Sequence, residues 1–597
     1  MTFSTTLGRI SLLGVTVAAA IALAGLVLSG DWLLTEGQRV QAQTASPPNI
    51  VFVMTDDLDE RSMQDLGGIR TLMGANGVTF KNAYVTYSLC CPSRATILRG
   101  QYPHNHDILD NRPPLGGEDK FRNLGRDQST IATWLNDTGY QTKYIGKYMN
   151  GYNDLYKPPG WDEWFVLNVA KDKINDDGKS IALTGHSTDV FADEASDFIR
   201  RSSANPAPFF VFVGTKAPHT PPEVATRHQD AFATTALPKP PNFNEADVSD
   251  KPAWARSYKL RSQTAIDEME REYRERLRSM LSVEDLLRQT VAALKETGEL
   301  SNTYIVFTSD NGYHFANHRL PMSKRTPYEE DIGVPLMVRG PGVPVGAVRN
   351  QLVLNNDFAP TIADLAGANV PAFVDGKSFA PLLTSFPPPS WRNAFLEEGW
   401  YPENGGGLPV STHKSVHTRG YMFTEYETGE YELYDLGADP YQLESKPRAG
   451  NEALFSALET RLNNLRDCSA AACRTAEWTT DATAPTVTST APSANAAGVV
   501  PTADLTATFS EHMKASSINA TTFKLFERGS TTKVEASVSY SASTDKATLD
   551  PSTSLRRGGT YDARVTTGAK DLVGNRLDQS STLRGMQQKV WSFTVTN

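Results

Sequence analysis

The stretch Asn49-Ile50-Val51-Phe52-Val53-Met54-Thr55-Asp56-Asp57 decides how the rest of the chain is read. Its short unbroken apolar run describes a strand buried in a parallel sheet. The run stops abruptly at Thr55-Asp56-Asp57, which leaves two carboxylates at a strand's carboxyl end. Val78 to Val85 reads as a second strand. Gly139-Tyr140 turns into another that ends at Gly146-Lys147. Pro208 to Gly214 is a further buried run, and Thr303 to Thr308 ends in Ser309-Asp310-Asn311-Gly312. Between them, Met63 to Met73, Thr130 to Leu135 and Asp189 to Arg201 read as helices; the last puts Phe191, Ala195, Phe198 and Ile199 on one face. Residues 252 to 297 are charged, carry Met269, Tyr273, Leu277 and Leu281 at helical spacing, and read as a surface helix pair packed on the sheet. The alternation continues through Val334 to Val338 and Asp357 to Leu365. The fold class that follows is α/β, a mainly parallel sheet flanked by helices. Glu425 to Leu436, with Tyr426, Tyr431 and Tyr434 near turn residues, suggests a small antiparallel element near the end of this domain.

At 597 residues the chain is too long for one compact domain. Its 39% hydrophobic and 21% charged residues are ordinary for a globular protein. A formal net charge of -10 argues against a nucleic-acid partner and gives no general help with anionic substrates, so any anion-binding charge must be local. Residues 1–42 read as an export signal: Arg9 precedes an apolar run from Ile10 to Leu28, and Val40-Gln41-Ala42 offers a cleavage site. The run is about 19 residues, long enough to span a bilayer, so a retained N-terminal membrane anchor is the alternative to a secreted or cell-surface product. Composition shifts near residue 479 into a Thr-, Ala-, Pro- and Ser-rich stretch. Residues 476–500 are therefore a linker and the start of a β-sandwich, and 484–597 resembles the bacterial immunoglobulin-like domains attached to secreted and cell-wall enzymes. Through it, contact with a cell wall or polysaccharide is expected. Of the four cysteines, Cys468 and Cys473 are close in sequence and are expected to pair as a loop staple; a metal site there lacks nearby histidines.

Cys90 and Cys91 remain, inside Ser88-Leu89-Cys90-Cys91-Pro92-Ser93-Arg94-Ala95-Thr96-Ile97-Leu98-Arg99-Gly100. Alone, a cysteine reads as a small buried hydrophobe or half a disulfide. Those readings leave the proline, which stiffens a turn after the cysteine, and the arginine, a permanent cation, unexplained. The stretch resembles, position for position, the sulfatase signature Cys-X-Pro-Ser-Arg-X-X-X-X-X-Gly. The resemblance spans residues 48–475 and implies an alkaline-phosphatase-like fold. It also implies that a separate formylglycine-generating enzyme oxidises Cys90 to formylglycine, whose hydrated aldehyde is the nucleophile.

The two acidic strand ends, Asp56-Asp57 and Asp310-Asn311, are each no more than a cap or turn in isolation. Ligand sites in open α/β sheets gather at strand carboxyl ends, so the two could meet in space. Three carboxylates and an amide carbonyl suit Ca2+ or Mg2+ rather than zinc. The family resemblance places the metal on these four residues beside Cys90, usually as Ca2+. Gly139-Tyr140-Gln141-Thr142-Lys143-Tyr144-Ile145-Gly146-Lys147-Tyr148 resembles the second family signature, whose lysine, here Lys147, contacts nucleophile and sulfate. His219 in Ala217-Pro218-His219-Thr220-Pro221 and Lys324 after Ser323 correspond to the remaining sulfate contacts, and Arg94 to the residue that holds the aldehyde hydrate. His314, Asn150 and His106 are further candidate substrate contacts.

Many sulfatases carry a histidine two residues after the second-signature lysine; here that position is Met149. The base that breaks down the covalent sulfate ester is then to be sought elsewhere, with His104 and His106 as candidates. The motifs most resemble the N-acetylglucosamine-6-sulfatase branch. The expected activity is cleavage of a sulfated carbohydrate, with Lys147, His219, Lys324 and Arg94 stabilising charge on the sulfuryl group and His219 or Lys324 protonating the leaving alcohol. The competing readings are a phosphonate or phosphate ester hydrolase of the same superfamily, and a non-catalytic carbohydrate-binding protein.

Overall fold

The structure is a computed structural model that describes residues 47–168, 173–388, 391–401, 408–478, 484–542, 544–571, 575–579 and 586–597. The proposed export segment, residues 1–42, lies outside them. Among the described residues no helix is long and apolar enough to cross a membrane.

Ten strands make the main sheet: β1 (Asn49–Thr55), β2 (Val78–Tyr84), β3 (Gln141–Gly146), β4 (Glu163–Asn168), β5 (Lys173–Asp176), β6 (Lys179–Ala182), β7 (Phe209–Gly214), β8 (Thr303–Ser309), β9 (Leu336–Arg339) and β10 (Ala347–Leu354). Their order is β10-β2-β9-β8-β1-β7-β3-β4-β5-β6. β1 lies between β7 and β8 and is parallel to both. The sheet is mixed rather than uniformly parallel, because β9 runs antiparallel to β2 and β8, and β5 antiparallel to β4 and β6.

Strand periodicity sets the layers. Ile50, Phe52 and Met54 enter one core, with α1 (Cys90–Arg99) and α4 (Phe358–Ala366). Val51 and Val53 enter the other, with α2 (Ser187–Ser202) and α3 (Gln263–Glu296). Alternate residues of one apolar strand thus serve both faces, which is why β1 shows no polar alternation.

Three local expectations are corrected. Met63 to Met73 is not one helix but a 3-10 turn (Arg61–Gln64) and a short helix (Gly67–Leu72), broken at Asp65 and Leu66, just ahead of the poor helix formers Gly67 and Gly68. Residues 252–297 form one turn (Ala253–Arg256) and then α3, a single 34-residue helix that buries Met269, Tyr273, Leu277, Met280 and Val283. Pro92 lies not in a turn before α1 but inside its first turn, where a missing N–H costs nothing. Gly100 ends α1 in the left-handed region at φ 68°, and a Cβ there would stand 2.9 Å from Val374, which accounts for the glycine that closes the signature.

After the main sheet come four antiparallel strands in sequence order: β11 (Ala394–Gly399), β12 (His413–Thr418), β13 (Tyr421–Tyr426) and β14 (Tyr431–Asp435). Cys468 and Cys473 are joined by a disulfide. The C-terminal part is two four-stranded sheets over one core that includes Leu505, Phe509, Leu525, Trp591 and Phe593.

Candidate active site and metal centre

Because β1 and β8 are adjacent and parallel, with Thr55 opposite Ser309, they deliver Asp56-Asp57 and Asp310-Asn311 to the same edge. The Asp57 N–H donates to Asp310 Oδ1 (3.1 Å), and the Leu58 N–H to Ser309 Oγ (2.9 Å). Asp57 has φ 70°, a left-handed conformation that costs a non-glycine residue energy and that its partners hold in place. One of those partners is Arg276 of α3, whose guanidinium donates to the Asp57 carbonyl and, at 2.9 Å, to that of Pro218, while it stacks on Tyr313.

Carboxylate oxygens of Asp56, Asp57 and Asp310 lie within 4.8 Å of one another, and all three side chains are buried. Asn311 Nδ2 donates to Asp57 Oδ1 (2.7 Å) and the Gly312 carbonyl (2.8 Å). That fixes the amide orientation and leaves Asn311 Oδ1 buried without a hydrogen-bond partner among the described residues. Three converging carboxylates and an orphaned carbonyl oxygen fit a hard divalent cation.

Cys90 is the first residue of α1 and is fully buried, with Sγ 2.7 Å from Lys324 Nζ and 3.5 Å from Asp56 Oδ1. Burial pushes its thiol up to about 12, although Lys147 and Lys324 pull the other way, so the unmodified side chain is a poor thiolate nucleophile at neutral pH. Arg94, one helical turn on, shares the Cys90 face. Its Nε donates to Asp310 Oδ2 (2.8 Å), and its Nη1 to the carbonyls of Lys147 (2.6 Å) and Tyr148 (2.9 Å). Arg94 Nη2 is 3.9 Å from Asp56 Oδ2 and has no hydrogen bond among the described residues. Lys147 follows β3; its N–H donates to the Gly214 carbonyl (2.7 Å), the Tyr144 hydroxyl donates to its carbonyl (2.8 Å), and its ammonium pairs with Asp56. The Lys324 ammonium also pairs with Asp57.

Burial opposes the charge on every one of these groups. At Asp56 it is outweighed by Lys147, His219, Arg94 and Lys324, and the acid titrates well below its ordinary range. Asp57 is lowered too, against burial, by Lys324 and His219. Asp310 goes the other way, pushed up to about 6 by burial and by Asp56. The ammoniums of Lys147 and Lys324 are raised, against burial, by the carboxylates.

His219 Nε2 is 3.8 Å from Asp57 Oδ2, and its side chain is 33% exposed against 11% or less for Lys324, Lys147, Arg94 and Asp56. It stands at the mouth of the cluster. Burial lowers its pKa.

The remaining candidates divide. His106 is not brought to the cluster: it is fully buried, with Nε2 2.9 Å from Thr96 Oγ1 and Nδ1 accepting from the Ile108 N–H (3.1 Å). His104 is engaged as well, by Glu398 (2.7 Å) and the Cys468 carbonyl (2.8 Å). Four ring nitrogens are thus occupied by structural partners. His314 differs. Its backbone pairs with Ser323, the neighbour of Lys324, its Nδ1 is 2.8 Å from Asp331 Oδ1, and its buried Nε2 has no partner among the described residues. Asn150 accepts from the Glu118 N–H through its carbonyl (2.8 Å), while its buried Oδ1 is without a partner among the described residues. Sequence reasoning missed Arg276. Its signal was a charged residue on the apolar stripe of α3, three positions after Tyr273.

The sulfatase family pattern matches residues 48–368, that of the N-sulphoglucosamine sulphohydrolase C-terminal region matches 317–468, and that of a bacterial Ig-like domain matches 481–595. An N-acetylglucosamine-6-sulfatase of Capra hircus is 34% identical over 486 residues, covering 73% of this chain and 86% of that protein. The Homo sapiens N-acetylglucosamine-6-sulfatase is 34% identical over 480 residues, covering 72% and 86%. A solved structure described as a complex with its substrate D-glucosamine-2-N,6-O-disulfate is 26% identical, with a TM-score of 0.63, covering 70% of this chain and 97% of that one. The chain belongs to the sulfatase family. It is a sulfuric ester hydrolase, and its family generally uses formylglycine and a divalent metal.

Proposed function

We propose that this enzyme is exported and removes the 6-O-sulfate from a glucosamine unit of a sulfated glycan, through formylglycine at residue 90 and a Ca2+ ion on Asp56, Asp57, Asp310 and Asn311. The observation that carries the site is the 2.7 Å approach of Lys324 Nζ to Cys90 Sγ in a buried pocket that also holds the three acids and Lys147. The substrate class is supported by the relatives at 34% identity over 86% of their length. Ca2+ is favoured over Mg2+ because four protein oxygens make a largely proteinaceous cage, whereas Mg2+ keeps several waters.

When present, the metal supplies Lewis-acid polarisation of a sulfuryl oxygen and the aldehyde hydrate supplies the nucleophilic oxygen. The chain's own residues do the rest. Lys147 and Lys324 present ammoniums to the charge that develops on the sulfuryl oxygens. Arg94 neutralises Asp310 and ties it to the Lys147 backbone. His219, at the exposed mouth, is placed to protonate the leaving sugar oxygen. His314, oriented by Asp331, is the candidate base for the second half-reaction, in place of the histidine that Met149 replaces. The catalytic part is residues 48–475 and the immunoglobulin-like part 484–597.

The test is peptide mass spectrometry over residues 86–94 of protein matured in its own host, followed by sulfate release from N-acetylglucosamine 6-sulfate, glucosamine N-sulfate and an aryl sulfate. Loss of about 18 Da at Cys90 with fastest release from the 6-sulfate is the expected result. An intact thiol removes the nucleophile. Preference for the N-sulfate moves the activity to the amine position.

A further inference from the structure

Away from the catalytic cluster, a cavity of about 330 Å3 with a mixed polar and apolar lining lies at the edge of the main sheet, where the β12–β13 turn overhangs β2 and β10. None of its lining residues belongs to the cluster around Cys90. A bulge in β10 opens it: pairing with β2 runs regularly to Arg349, slips, and resumes at Leu352 opposite Asn82. The slip brings the Asn350 carbonyl onto Asn82 Nδ2 at 2.7 Å and leaves the exposed Asn350 side chain at the cavity.

The lining is mixed in a particular way. Glu329 and Arg419 bring one charge of each sign, and Asn82 and Asn350 bring amides. The apolar part is Leu352, Leu436 and Pro440. The Tyr84 ring, stacked on Phe395 with centroids 5.0 Å apart, completes a flat wall. Arg419 is exposed and has no ion-pair or hydrogen-bond partner among the described residues. Behind Glu329 lies His417, 1% exposed, with Nδ1 3.6 Å from Glu329 Oε1, too long for a hydrogen bond. Both His417 ring nitrogens and Glu329 Oε1 are buried without partners among the described residues, an arrangement native proteins seldom leave incomplete.

Planar amide, carboxylate and guanidinium groups over an apolar floor are the complement of a sugar ring, whose hydroxyls need paired donors and acceptors and whose C–H faces need apolar contact. The volume sits at the lower end of the ~300–1,000 Å3 common for small-molecule sites, which suits one or two rings. Charge selects further. The catalytic cluster gathers cations around residue 90, whereas here the Glu329 carboxylate and the Arg419 guanidinium offset one another, so the lining carries no net charge that would select a sulfate group. We infer that this cavity is a second saccharide site, which takes an unsulfated amino-sugar unit of the glycan and holds the chain away from the reacting ring. This rests on the glycan reading of the catalytic site proposed above.

The experiment uses mature full-length enzyme, Arg419→Ala and Asn350→Ala, both exposed positions, with chitobiose as an unsulfated probe. Calorimetric titration should show chitobiose binding that inorganic sulfate does not displace and that each variant weakens at least about tenfold. KM for a sulfated glucosamine oligosaccharide should rise severalfold in the variants, while kcat on it and turnover of an aryl sulfate stay at the wild-type level. Absence of chitobiose binding, binding displaced by sulfate, or equal binding by the variants overturns the inference. So does a fall in aryl-sulfate turnover, which would mark the residues as structural. Failure of the glycan reading shows separately, as wild-type enzyme that turns over the aryl sulfate but no glucosamine sulfate.

Discussion

Lys324 Nζ lies 2.7 Å from Cys90 Sγ, although 234 residues separate them in the chain. The ammonium reaches across from the loop after β8, and the same group pairs with Asp57. One cation thus touches both the proposed nucleophile position and a carboxylate of the proposed metal site.

Lys324→Ala should lower kcat by about 10²–10³ with a smaller change in KM, because the ammonium acts on charge that develops during reaction. Lys324→Arg should restore little, since a planar guanidinium does not occupy the place of a compact ammonium. Steady-state kinetics on an aryl sulfate decides this, and wild-type kcat in the alanine variant would refute the assignment.

Chelation should abolish activity and lower the melting temperature, with Ca2+ restoring both. The three buried carboxylates repel one another, and an ion that needs all three in place would bind the folded form alone. At a hundredfold excess over its Kd such a ligand stabilises by about 2.7 kcal/mol. A melting curve unchanged by chelator and by added Ca2+ would remove the metal from these residues.

Gly214→Ala should cost about 10² in kcat and about 1–3 kcal/mol of stability. A Cβ there would lie 2.5 Å from the Lys147 carbonyl and 3.4 Å from Arg94 Nη1. That carbonyl holds the Arg94 guanidinium, so the strain passes straight to the cluster. Normal kinetics in a folded variant would show that the two strand ends tolerate separation.

Stability should fall as pH rises from about 4.5 to 7, in part through Glu477. Glu477 is buried and accepts from the Tyr102 hydroxyl (2.6 Å), while the nearby Arg392 directs both Nη groups to Asp357. Burial lifts Glu477 to about 7, although Arg392 pulls it down. Between the unfolded value near 4.3 and 7 the folded chain therefore keeps a proton that the unfolded chain has released. The stabilisation is present below that window and lost across it, by at most about 3 kcal/mol. Glu477→Gln should flatten this part of the profile in denaturant titrations; an unchanged slope would count against the shifted carboxyl.

The sequence by itself determined the two-faced strands and the chemistry at their ends. A short, β-branched apolar run such as Ile50 to Met54 reads as a strand covered on both sides, and the signatures around Cys90 and Lys147 are local, contiguous and chemically unusual. The family, its fold and the reaction class follow from these, and the comparisons bear them out. What sequence spacing left open was decided by packing. Residues 252–297 gave an amphipathic pattern that cannot say whether a helix is interrupted, and the structure makes α3 continuous and brings Arg276 of its buried face to the Asp57 carbonyl. The histidines show the same limit. His104, His106 and His314 are equal as letters, yet a ring's use depends on what its two nitrogens meet. Thr96, Glu398 and the Cys468 carbonyl engage two of the three rings, while Asp331 holds one nitrogen of the third and leaves the other unpartnered among the described residues. Those partners lie between 10 and 364 positions away in the chain, and the distant ones meet their histidine only when the sheet and its covering layers close around them.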